Sequence, residues 1–226
     1  MILALDSSTA YAGAALYNET GILAEFTWLS HRDQTTQLLP LVEKMFEVEN
    51  LSPEQITGVA AALGPGSFNG LRVALSEAKG IALSLDVPIF GFSSLDVLAA
   101  AHTYLTGNLC ALVAAGRGRF GAGFYRVKAG KWRQEGEYEN LDLNELIERI
   151  EGPTFIAGEL KPAERAELTR RLPKALILPA AVSQRRAGLL AELAWQRLSL
   201  GEPGDDLTTL QPIYLHQPVK APSDRN

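Results

Sequence analysis

Ile2-Leu3-Ala4-Leu5-Asp6-Ser7-Ser8-Thr9-Ala10-Tyr11-Ala12-Gly13-Ala14-Ala15-Leu16-Tyr17 decides the fold. An apolar run at 2–5 enters a Ser-Ser-Thr turn, a second run follows at 12–17, and a third occupies 22–29 after Asn18 to Gly21. Short apolar runs bounded by turn residues read as strands, so the first thirty residues predict a three-stranded antiparallel meander.

Working outward, Leu38, Leu41, Val42, Met45 and Phe46 recur at helical spacing and predict a helix from about Asp33 to Glu49, with Pro40 in its first two turns. A buried strand at 59–63, a Gly-rich turn and a helix from about Asn69 to Leu85 come next, the last stopped by Asp86 and Pro88. A short strand at 89–92 and a helix from Ser94 to about Tyr104, N-capped by Ser93, form a bridge. Then the order restarts: strands at 109–115, 122–128 and 131–138, a helix at 142–150 and a strand at 153–157. Helices near 162–172 and 183–200 flank a last strand at 175–178. The prediction is an α/β chain of two lobes, 1–104 and a smaller 105–226, each built on βββαβα. By analogy this is the duplicated architecture of the actin, sugar-kinase and Hsp70 ATPases, and fold alone does not fix function.

With 226 residues, 46% apolar and 21% charged, the chain can bury one or two cores. The lone Cys110 excludes an intrachain disulfide and a cysteine zinc cage. Asp6 arrives too early for a signal peptide or a membrane span, so a cytoplasmic protein with no membrane association is expected. A net charge of −5 argues against a dedicated nucleic-acid binder, but residues 1–113 hold 4 Lys/Arg against 11 Asp/Glu while residues 114–226 hold 17 against 15. Arg117, Arg119, Arg126, Lys128, Lys131 and Arg133 run without an intervening acid, which is either a solvated hairpin face or a contact for RNA or an acidic partner.

Three constellations could carry function. Asp6, Ser7 and Ser8, at a strand end, would offer a carboxylate near metal-bound water together with backbone N–H and hydroxyl groups for phosphate; spacing alone favours a polar turn that bonds its own backbone. Gly64-Pro65-Gly66-Ser67-Phe68-Asn69-Gly70-Leu71-Arg72 joins a strand to a helix, either simply as a tight connection or with an N-terminus that attracts an anion at Gly64, Gly66 and Ser67; no Gly-Lys-Ser/Thr makes it a P-loop. The stripes Leu38, Leu41, Met45, Phe46 and Leu71, Leu75, Ala78, Ala82 either pack on the sheet or dock a partner. His31, His102 and His216 are not at metal-ligand spacing, and Ser67 lacks a nucleophile elbow, so neither a metal site nor a serine hydrolase is expected.

These blocks, with Leu38-Leu39-Pro40, Lys79-Gly80-Ile81-Ala82, Ser93-Ser94-Leu95 and Pro212-Ile213-Tyr214-Leu215, resemble the TsaB (YeaZ) family. Gln34 stands where that family often has His, and Ala115-Gly116-Arg117 where it commonly has Asp-Ala-Arg, so a cleft carboxylate is missing at the end of the second lobe's first strand. The resemblance implies a non-catalytic partner of TsaD in threonylcarbamoyl transfer to N6 of adenosine 37 in tRNAs reading codons that begin with A. It further implies a heterodimer with TsaD through the two apolar helices, contact with TsaE, a homodimer when alone and tRNA contact only through the complex. It gives the chain no cofactor of its own and places ATP or ADP at the interface of the complex. An actin-like kinase or ATPase and, more weakly, a peptidase are the competing readings.

Overall fold

The computed structural model describes residues 1–30 and 33–215. His31, His216 and the basic and polar residues after it lie outside the described residues. Among the described residues no helix is long and apolar enough to cross a membrane.

The meander forms as expected: β1 (Ile2–Asp6), β2 (Tyr11–Asn18) and β3 (Gly21–Leu29). Every residue of β1 is buried, as a strand covered on both faces requires. There follow α1 (Gln34–Glu49), a single 3-10 turn, β4 (Gly58–Gly64), α2 (Phe68–Leu85), β5 (Ile89–Ser93) and α3 (Ser94–Ala100). The second half comprises β6 (Gly107–Gly116), β7 (Arg119–Lys128), β8 (Lys131–Gln134), β9 (Glu139–Leu141), α4 (Leu143–Arg149), β10 (Thr154–Gly158), α5 (Pro162–Arg171), β11 (Leu176–Ile177) and α6 (Ala187–Ser199).

The sheets are ordered β3-β2-β1-β4-β5 and β11-β10-β6-β7-β8, the latter with β9 also paired to β7. Read from the other edge, the second order repeats the first strand for strand. In both, the first three strands are antiparallel neighbours and the last two join in parallel. The duplicated actin-like α/β fold is therefore present in full, with α3 and α6 as equivalent closing helices.

The predicted boundaries differ most in three places. The helix expected to reach Tyr104 stops at Ala100, and the helix expected from 183 begins at Ala187. The strand expected over 131–138 ends at Gln134, and the chain turns back to add β9. Gly136, at φ 79°, makes the break, because αL backbone cannot continue a ladder.

A cut between 104 and 105 parts the two sheets, but packing crosses it both ways. Leu190, Ala191 and Ala194 of α6 lie on Ile2, Ala4, Ala60 and Phe90 of the first sheet. Leu95, Leu98 and Ala99 of α3 lie with Leu109, Val113 and Tyr125 of the second. Tyr125 Oη donates to Asp96 Oδ1 at 2.7 Å, which fixes α3 to β7. After α6 the chain returns along the first lobe, where Asp205 N donates to Ile89 O at 2.7 Å and Ile213 N to Leu63 O at 2.7 Å. Leu207 and Leu210 fill the core between these bonds.

Candidate functional site

The ends of β1, β4 and β6 converge on a cleft of about 1140 Å³ between the lobes, lined by Thr9, Gln34, Ser67, Phe68, Arg117 and Arg119 among others. Asp6 sits below its floor, only 4% exposed. Its Oδ1 accepts from Ser8 N at 2.8 Å and from Ser8 Oγ at 2.5 Å, while Oδ2 accepts from Arg185 Nε at 2.9 Å. Arg185 comes from the extended segment ahead of α6 and reaches through the join between the lobes. Its second nitrogen is ion-paired with Glu159 Oε1, and its third donates to Thr9 Oγ1 at 3.0 Å. Thr9 Oγ1 in turn donates to Glu159 Oε2 at 2.7 Å. Burial by itself would lower the Arg185 pKa, but Asp6 and Glu159 outweigh it and hold the guanidinium charged far above the working range.

Sequence reasoning missed Arg185 and Glu159. Arg185 stands beside Arg186 in a stretch predicted to be helical, and nothing in its spacing marks it as buried. Glu159 follows Gly158 at the end of β10 and brings a carboxylate from the second lobe to Thr9 and Arg185, where the sequence predicted a loss. That prediction holds only for the end of β6, where Ala115 and Gly116 stand.

The structure brings Asp6, Ser7, Ser8, Gly64, Gly66 and Ser67 into two adjoining loops that are bonded to each other. Ser67 N donates to Ser8 O at 2.6 Å, Ser7 Oγ donates to Gly70 O at 2.6 Å, and Ser94 Oγ donates to Ser8 Oγ at 2.9 Å. A Cβ added at Gly66 would stand 2.0 Å from Ser8 O, and one at Gly70 2.0 Å from Ser7 O. The glycines of this block thus serve the close approach of two loops. Ser67 caps α2, accepting from Gly70 N at 3.5 Å. Gln34 is buried and its Nε2 donates to Thr9 O at 3.3 Å, tying the start of α1 to the same turn.

The C-terminal Pro-Ile-Tyr-Leu block closes on the glycine block. Tyr214 Oη accepts from Arg72 Nε at 3.2 Å, its ring lies 5.4 Å from that of Phe68, and the Arg72 guanidinium covers Phe68 at 3.8 Å. Two segments separated by some 140 residues in the chain form one wall of the cleft.

The basic run is not one patch. Arg117 and Arg119 belong to the cleft; Arg119 Nε donates to Asn140 Oδ1 at 3.0 Å and Nη2 pairs with Glu145 at 2.8 Å. Arg126 and Lys128 stand at the far end of β7, seven and nine residues beyond Arg119 and therefore about 24–30 Å away at the rise of a strand.

The two apolar stripes are corrected by burial. Leu38, Met45, Phe46, Leu71, Leu75, Ala78 and Ala82 are all buried, none more than 8% exposed, and pack with Leu3, Leu5 and Val59 beneath the helices; Leu41 is half-buried. They are core, because the most regular apolar stripe of a surface helix is the one turned to its own sheet. The apolar side chains left exposed on α1 and α2 are Leu39, Val48, Phe68 and Leu83.

Among the described residues no three His, Cys, Asp or Glu side chains are placed to hold a metal. His102 is fully buried, and burial lowers its pKa.

Residues 18–173 match the family model described as TsaD: tRNA N6-adenosine threonylcarbamoyltransferase. The chain is similar to the tRNA threonylcarbamoyladenosine biosynthesis protein TsaB of Bacillus subtilis, 32% identical over 149 residues, covering 66% of this chain and 65% of that one. It is also similar to the protein of the same description from Escherichia coli, 32% identical over 163 residues and 70% of each chain. A solved structure from Pseudomonas aeruginosa, described as an uncharacterized protein with similarity to peptidase YEAZ, superposes with a TM-score of 0.76 at 26% identity, over 95% of this chain and 99% of that one. The matched part spans about two thirds of the curated relatives' length. The chain belongs to the TsaB (YeaZ) family and carries a TsaD-like domain.

Proposed function

We propose that this chain is a non-catalytic subunit in the formation of threonylcarbamoyladenosine at position 37 of tRNA, acting by docking to TsaD. The observation that carries the non-catalytic part is the state of Asp6. A carboxylate at this strand end serves an ATPase only when it is free to meet metal-bound water or phosphate. Here one oxygen is held by Ser8 and the other by Arg185. The turn is neutralised from inside the protein. Nucleotide, on this reading, belongs to the interface of the complex and not to the turn at Asp6–Ser8.

Support for docking comes from the outward side of the first lobe's helices. Leu83 is 73% exposed, Val48 59% and Leu39 44%. A groove of about 570 Å³ runs between α1 and the following 3-10 turn, floored by Phe46, Leu51 and Ile81. Gly80 stands mid-helix on the exposed side of α2 with nothing within 4 Å of the position a Cβ would take. Glycine there costs α2 about 0.5–1 kcal/mol relative to alanine with no return inside this chain. A second helix packed close against it gives the missing return. TsaD is the expected partner, with a second copy of this chain as the substitute when TsaD is absent. TsaE and tRNA then meet the assembled pair. The contribution to the reaction is conformational: the docked chain holds TsaD in its active shape.

The test is in vitro threonylcarbamoylation of adenosine 37 with purified TsaD, TsaE and threonylcarbamoyl-AMP, with and without this chain. Product that requires the chain, and that is lost together with TsaD co-purification in Leu83→Glu, is the expected result. Unchanged product without the chain, or Mg-ATP turnover by the isolated chain, would transfer the assignment to an actin-like ATPase.

A further inference from the structure

We propose that the outer face of the β7–β8 hairpin is a phosphate-backbone contact for RNA, a site that rests on the tRNA-modification reading and deepens it. Arg126 stands directly opposite Arg133, and Lys128 directly opposite Lys131. All four side chains are exposed on one face, while the alternate positions Tyr125, Val127 and Trp132 turn into the core. Like charges directly opposed across a ladder destabilise it, and two successive pairs do so twice. Arg126 alone has relief, from Glu135 at 3.2 Å. Lys128, Lys131 and Arg133 have no ion pair among the described residues.

The register that creates this repulsion is enforced by the turn. Ala129 and Gly130 both have positive φ, 51° and 74°, the two-residue geometry that matches strand twist. The hairpin therefore cannot slip to separate the charges. A shallow hollow of about 630 Å³ lies over them, lined by the four cations and one carboxylate.

The occupant follows from what the hollow lacks. Protein partners seat an apolar or aromatic anchor in a desolvated pocket. Here the one aromatic side chain in the lining, Trp132, packs edge-on against Tyr125 at 5.3 Å and belongs to the core beneath. What remains is a grid of cations, about 7 Å apart along each strand and about 5 Å across, with nothing to read sequence. Such a grid suits a repeating, sequence-independent anion. A phosphodiester chain fits it better than an acidic peptide, whose binding would need anchors the surface does not offer. The net charge of −5 does not oppose this, since the acidic excess lies in the other half of the chain.

The experiment is filter binding of an unmodified tRNA transcript, by the chain alone and by its complex with TsaD, across a salt series. The proteins compared are the native chain, Lys131→Gln, and the triple variant K128Q/K131Q/R133Q, which leaves the Arg126–Glu135 pair intact. The slope of log affinity against log salt should shrink by about 1 for the single variant and about 3 for the triple, with unchanged circular dichroism. Slopes equal to the native one overturn the proposal. So does a native chain that holds polyglutamate as tightly as tRNA, which would make the partner an acidic protein. Self-association of the triple variant with unaltered tRNA binding would make the lysines guards of an edge strand, and overturns it too. Threonylcarbamoylation with the native chain is scored separately, so failure of the parent reading and failure of this surface give different patterns.

Discussion

Arg185 illustrates how much one buried charge can decide. It is only 5% exposed, and its guanidinium is shared by carboxylates from two lobes, Asp6 and Glu159. Replacing it with alanine would leave two acids buried without a counter-charge, for which about 3–5 kcal/mol of lost stability is the ordinary scale. Arg185→Ala should accordingly unfold at markedly lower denaturant, whereas Arg186→Ala, next to it but exposed and paired with Glu25, should shift the midpoint little. Equal effects from the two variants would show that the inter-lobe ion pairs do not bind the halves together. Glu25 also accepts from Gly188 N at 2.9 Å, so at the start of α6 a side chain from β3 does the work of the missing N-cap. Neither role is visible from neighbouring residues in the sequence.

Elements show the same division between local rules and their exceptions. α1 and α2 each end where a non-glycine residue accepts αL backbone, Asn50 at φ 53° and Asp86 at φ 52°, two of the residue types that tolerate it best. The β7–β8 turn breaks that rule by placing Ala129 at φ 51°. An L-residue without a side chain able to bond locally loses about 1–2 kcal/mol there. Ala129→Asn gives the Asn-Gly pair preferred in such turns and should raise the thermal midpoint by a few degrees, on the scale of about 2–4 °C per kcal/mol for a chain of this size. A calorimetric midpoint that falls would mean the turn is held by contacts of Ala129 itself. The same substitution leaves the four hairpin cations in place, so tRNA binding should not change with it.

The whole molecule is more than two lobes in series. α6 and the segment after it cover the first sheet, and α3 is shared with the second, so the first lobe is completed only by residues that come last in the chain. A fragment of residues 1–104 would expose the face formed by Ile2, Ala4, Ala15, Ala60 and Phe90. It should melt without cooperativity and bind a hydrophobic dye, while the full chain melts in one transition seen alike by fluorescence and circular dichroism. Independent cooperative melting of the fragment would show the first lobe to be self-sufficient. Most of the fold was legible beforehand because its signals are local: apolar runs of strand length, a restart of the same order of elements, glycine and proline at the turns. The apolar stripes of α1 and α2 are buried for a reason of the same kind. Periodicity reports which stripe of α1 and α2 is apolar, and the sheet claims that stripe first; Leu75 is core and Leu83 is surface, although both are leucines of one helix. The sequence by itself determined the elements, their order, the family and the cationic hairpin, since each depends on residues close together in the chain. Tertiary structure alone decided that Asp6 is neutralised from 179 residues away, that Tyr214 closes on Phe68, and that α6 crosses to the first lobe, because long-range packing and buried charge pairing leave no trace in local spacing.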